Sequence, residues 1–107
     1  DETTVDKIHT TIDELEAYAI VKSILRGDTD SNKIFYRDTE SYFSILYENS
    51  NRNWICRIHL NSSNKYITIP DENKKPVRYD IDTLDDIYKY ADLIIASCNK
   101  YITDQAS

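Results

Sequence analysis

Between Tyr36 and Ile67 the chain sets cationic and hydrogen-bonding side chains among residues that favour strands. Arg37, Asp38 and Ser41 stand in Tyr36-Arg-Asp-Thr-Glu-Ser-Tyr-Phe. Arg57, Asn61, Ser63, Lys65 and Tyr66 stand in Trp54-Ile-Cys-Arg-Ile-His-Leu-Asn-Ser-Ser-Asn-Lys-Tyr-Ile. Two kinds of chemistry suit these types. Guanidinium and ammonium groups bind phosphate, serine and asparagine add neutral donors, and tyrosine rings stack on unpaired bases. A carboxylate at a strand start can instead help to hold a magnesium ion. A third reading is structural: Arg57 pairs with Asp38 or Glu40 across a sheet, and Asn61 and Ser63 simply build a turn.

The elements that would position these groups follow from pattern. Thr11-Ile-Asp-Glu14 is a capping box that opens a helix running through Leu15, Tyr18, Ala19, Ile20, Val21, Ile24 and Leu25 to a stop at Gly27. Its apolar arc is broad, so we expect it to be covered on more than one side. Five short strands follow: Ile34–Arg37, Tyr42–Tyr47, Trp54–Leu60, Lys65–Ile69 and Val77–Ile81. In the third, Trp54, Cys56, Ile58 and Leu60 alternate with Ile55, Arg57 and His59, which predicts one buried face. Thr83-Leu-Asp-Asp86 caps a last helix whose apolar residues recur from Leu84 to Ile102. Its tyrosines, Tyr88, Tyr90 and Tyr101, are expected to pack with wet hydroxyls. The expected fold is α+β: an antiparallel meander of four to five strands flanked by an N-terminal and a C-terminal helix. The folded domain is expected over residues 11–102, with 1–10 as an arm or linker remnant and 103–107 as a tail.

The chain has 107 residues and a net charge of −6, which argues against a generic nucleic-acid binder. The distribution is more telling. Residues 33–78 carry eight basic and five acidic side chains, a net +3, between acidic flanks of −5 and −4. A local positive face on an acidic protein is consistent with this. Cys56 and Cys98 sit in separate apolar patterns and lack zinc spacing, and His9 and His59 are far apart, so we expect buried thiols and no metal. Asp82, Asp85, Asp86 and Asp92 lack the glycine and closing glutamate of a calcium loop. His59 has no nucleophile or orienting acid to name beside it and reads as a surface strand histidine. No apolar run approaches the roughly 18–20 residues that span a membrane. The chain begins at Asp1 and contains no methionine, and is expected to be part of a longer protein.

Four segments together carry a resemblance: Glu14-Leu-Glu-Ala-Tyr-Ala-Ile-Val-Lys-Ser-Ile-Leu, Tyr36-Arg-Asp-Thr-Glu-Ser-Tyr-Phe, Ile55-Cys-Arg-Ile-His-Leu-Asn-Ser-Ser-Asn-Lys-Tyr-Ile and Leu84-Asp-Asp-Ile-Tyr-Lys-Tyr-Ala-Asp. Over residues 11–101 the chain resembles the C-terminal domain of bacterial and prophage proteins whose N-terminal part is similar to the nuclease domain of type I restriction-enzyme R subunits. The resemblance implies a cytoplasmic, phage- or defence-related setting, an upstream nuclease-like domain and a nucleic-acid substrate for the whole protein.

The domain itself lacks the nuclease constellation. Restriction-type nucleases follow a first acid with an acid-x-Lys on the next strand. Asp38 could be the first acid and Glu16 a helper, but Tyr42-Phe-Ser-Ile-Leu-Tyr offers neither acid nor lysine. We expect no catalytic residue and no cofactor here. The expected role is accessory: DNA or RNA recognition through Arg37, Ser41, Arg57, Asn61, Ser63, Lys65 and Tyr66. The alternative is a structural domain that pairs with a second copy of itself through the first helix.

Overall fold

The computed structural model describes residues 10–61 and 63–106, with side chains described through Thr103. The expected arm therefore lies outside the described residues except for Thr10, as do His9 and Ser62.

The first helix, α1 (Ile12–Leu25), opens as its sequence dictates. Thr11 Oγ1 accepts from the Glu14 amide at 3.1 Å, and the Glu14 carboxylate accepts from the Thr11 amide at 3.0 Å. Two of the amides that a helix start leaves unpaired are thereby satisfied. Ala17, Ile20, Val21 and Leu25 form the buried stripe. The helix is covered on more than one side, as expected: it packs against the C-terminal helical segment as well as over the sheet core. Ile12, 82% exposed, and Leu15, 42% exposed, lie outside both contacts.

Five strands then form one antiparallel sheet in sequence order: β1 (Ile34–Asp38), β2 (Phe43–Tyr47), β3 (Trp54–His59), β4 (Tyr66–Pro70) and β5 (Pro76–Asp80). The fold is the expected α+β meander, with each boundary within about a residue of the pattern. Turn chemistry sets the last hairpin. Asp71 Oδ1 accepts from the Asn73 and Lys75 amides at 2.8 and 2.9 Å, and Lys74 takes a positive φ of 64°.

After β5 the Asp86 carboxylate accepts from the Asp82 and Thr83 amides at 2.9 and 3.2 Å. The segment Leu84–Tyr90 winds as a 3₁₀ helix before α2 (Ala91–Ala106) begins. The continuous helix read from the sequence is thus split in two, and it runs on to Ala106 instead of stopping at 102. The two windings place Ile87, Ile94, Cys98 and Tyr101 against Ile45, Ile55, Ile58 and Ile67 in one core. Burying each such side chain stabilises by roughly 1.5–3 kcal/mol.

One irregularity decides how the sheet presents its residues. The β2–β3 register matches Ile45 with Cys56 but Leu46 with Trp54, so Ile55 is an extra residue in β3. A bulge leaves carbonyls outside the ladder. Here α2 collects them: Ser97 Oγ donates to the Ile55 carbonyl at 2.8 Å and Tyr101 Oη to the Trp54 carbonyl at 2.6 Å. The Tyr101 hydroxyl is therefore buried and bonded, contrary to the wet tyrosine expected. Strict alternation would put Trp54 with Cys56 and Ile58; the bulge turns it to the other face.

Cys56 and Cys98 are free and buried. Burial pushes both thiols up, that of Cys98 to about 11, so neither ionises at neutral pH.

Candidate functional site

Both helices pack against the side chains of one sheet face, and the register fixes what the other face carries. Following partners across the strands gives Arg37↔Ser44, Ser44↔Arg57, Arg57↔Thr68 and Thr68↔Arg78. This is one continuous row perpendicular to the strands. Arginine stands on β1, β3 and β5, and a small hydroxyl residue on β2 and β4. Neighbouring strands are about 4.8 Å apart, so successive arginines start roughly 10 Å apart. Ser44 and Thr68 are buried at the floor of the row.

A second row lies beside it, with His59↔Tyr66 and Tyr66↔Asp80 in register and Tyr42 next to His59 at a ring separation of 5.9 Å. On the far side Phe35, Leu46 and Trp54 form an apolar row. The rows interlock through cation–π contacts. The Arg57 guanidinium lies 4.1 Å from the Trp54 ring and 4.7 Å from the Tyr42 ring. The His59 ring stacks on Tyr66 at 4.1 Å, and Arg78 covers Tyr66 at 3.8 Å. Each contact contributes about 0.5–2 kcal/mol and holds a long cation in one direction.

The three arginines are held differently. Arg37 donates to Asn51 Oδ1 at 2.8 Å and to Asn49 Oδ1 at 3.0 Å, both in the β2–β3 loop. Arg78 forms an exposed pair with Asp80 at 2.8 Å. Arg57 is half-buried and makes no ion pair with any described residue. Its Nε is the one buried side-chain nitrogen or oxygen among the described residues that lacks a hydrogen-bond partner. Arg37, Thr39, Tyr42, Ser44, Asn51 and Arg57 line a cavity of about 220 Å³ at this end of the row.

His59 is half-buried in the middle, with Nε2 3.2 Å from Thr68 Oγ1. Burial lowers its pKa from the ordinary 6.5; a hydrogen bond with the Ser41 main chain opposes this, and Arg57 and Arg78 add to the lowering.

The residues singled out in the sequence are thus divided. Arg37, Arg57 and Tyr66 share the open face. Ser41 is in the β1–β2 turn, where its amide bonds to Thr39 Oγ1 at 3.3 Å. Asn61 ties the β3–β4 turn to the Glu40 carbonyl at 3.5 Å, the turn role considered for it. Ser63 and Lys65 lie past the end of the aromatic row, in a separate cavity with Arg78, Asp80 and Asp82. Asp38 faces the helices and accepts from Thr10 Oγ1 at 2.8 Å, so the Asp38–Arg57 pair considered from the sequence does not form. Arg78 and Thr68 were overlooked. Centring a hairpin on the Asp71–Lys75 loop would have placed them opposite each other. Trp54 opens β3 and, turned by the bulge, is a buried wall behind Arg57.

No protein-family model, curated protein or solved structure matches the chain.

Proposed function

We propose that this domain is a non-catalytic accessory module that binds nucleic acid through the arginine row of its open sheet face. On this reading it serves a longer restriction-endonuclease-like protein of the bacterial and prophage group that its sequence resembles. The observation that carries the reading is Arg37–Ser44–Arg57–Thr68–Arg78, a row with three cations and no carboxylate in it. Regularly spaced guanidiniums with hydroxyls between them suit a phosphate backbone, and neighbouring aromatics suit bases. The negative net charge does not oppose this. Asp13, Glu16, Asp85 and Asp92 belong to the helical layer on the other side of the sheet. Asp38 also faces that layer, which separates the one candidate metal-binding strand acid from the cationic face.

The test is binding of labelled single- and double-stranded DNA and RNA to the 107-residue chain at low salt. Arg57→Ala and Arg37→Ala are each expected to reduce the slope of log affinity against log salt by about one. Lys65→Ala, off the row, is expected to matter less. Absence of binding to every nucleic acid would remove the proposal.

A second reading has one observation behind it, the exposed Ile12 and Leu15 on the outer side of α1. It predicts self-association, which sedimentation of the wild type and Leu15→Glu would reveal.

A further inference from the structure

We infer that the Arg37–Arg57 cavity takes a terminal phosphate of a nucleic-acid strand, a monoester dianion, and so anchors a strand end. The inference rests on the nucleic-acid reading above and narrows it from the whole face to one built pocket.

The pocket is prepared for an anion before any ligand arrives. Its lining brings together two arginines, Thr39, Tyr42, Ser44 and Asn51, with no acidic residue among them. Asn51 and Asn49 use two of the five N–H groups of Arg37 and fix its direction, leaving three. Trp54 and Tyr42 hold the Arg57 guanidinium from two sides without using its N–H groups. The Nε of Arg57 has no partner, although buried polar atoms nearly always have one.

Charge selects the kind of phosphate. A phosphomonoester carries about −1.5 to −2 at pH 7 and balances two guanidiniums. An internal phosphodiester carries a single charge and would leave one cation uncompensated. A volume of about 220 Å³ has room for a phosphate group and the atoms attached to it. Position then says where the rest of the strand goes. Thr68 and Arg78 continue the row from Arg57 across β4 and β5, so the following phosphates meet Arg78. The bases would lie over His59 and Tyr66. Arg78 covers the Tyr66 ring now, but its partner Asp80 is exposed, and such surface pairs yield easily.

One single-stranded oligonucleotide in three forms tests this: 5′-phosphorylated, 3′-phosphorylated and hydroxyl at both ends, with an internal label and low salt. One phosphorylated form is expected to bind about tenfold or more tightly than the hydroxyl form. Arg37→Ala and Arg57→Ala should each erase that difference, and Arg78→Ala should weaken all three forms alike. Arg57→Lys keeps charge and stem if Arg57→Ala fails to fold; it should retain general binding and lose most of the discrimination. Equal binding of the three forms would overturn the pocket inference and leave the proposed function standing. Absence of binding to all three, and to duplexes, would remove both. A phosphoserine peptide bound in preference to every oligonucleotide would also overturn the assignment.

Discussion

Phe43 and Ser44 are neighbours in β2, and both are buried, yet they belong to opposite sides of the sheet. Phe43 faces the helices and joins a closed core. Ser44 is the floor of a row whose walls are arginines and aromatic rings. The helix face is held by burial, which is nondirectional and tolerates no gap. The open face is held by cation–π contacts and loop hydrogen bonds, which fix directions, over a buried floor of Ser44, Leu46 and Thr68. With the proposed function, the difference divides stability and recognition between the faces, so substitutions on each should fail in different assays.

Phe43→Ala should have the largest effect, a loss of about 3–5 kcal/mol in denaturant unfolding from the cavity left in the core. A smaller loss than that of an open-face substitution would break the comparison. Tyr101→Phe comes next. It leaves the Trp54 carbonyl buried without its donor, at a cost of about 1–3 kcal/mol. Because that bond secures the bulge, Trp54 fluorescence should change as well. Arg57→Ala should lower stability by only about 1 kcal/mol while removing most nucleic-acid affinity.

The smallest effect is one of pH. The folded state holds His59 below its ordinary 6.5, so the unfolded chain takes up the proton first on acidification. The contribution of His59 to stability is full above pH 6.5, falls as pH drops towards the lowered folded value, and is flat below that. Thermal melting of the wild type and His59→Gln between pH 7.5 and 5 should show the wild type losing more. Bound phosphate on the row should favour the imidazolium and strengthen binding over the same range; weakening would contradict the proposed face.

Local signals gave the elements directly. The Thr11–Glu14 box, the strands and the Asp71 turn all operate through near neighbours, so they stand where their residue types put them. The first helix shows the limit of composition, since its broad apolar arc says nothing about which part the C-terminal helical segment will cover and which part stays exposed. Arg37 and Arg57 were visible as candidates. Their company was not, because Arg78 reaches the row only through two further strand pairings.

Sequence by itself determined that this chain makes a five-stranded meander between two helical segments with a cationic middle, because periodicity, capping and turn chemistry are short-range. Tertiary structure decided which cations share a face. The extra residue at Ile55, stabilised by Ser97 and Tyr101 from a helix more than 40 positions away, rotates Trp54 out of the core and behind Arg57. Strand alternation has a period of two, so one inserted residue exchanges the faces of everything before it. That exchange is paid for by contacts that no local window contains.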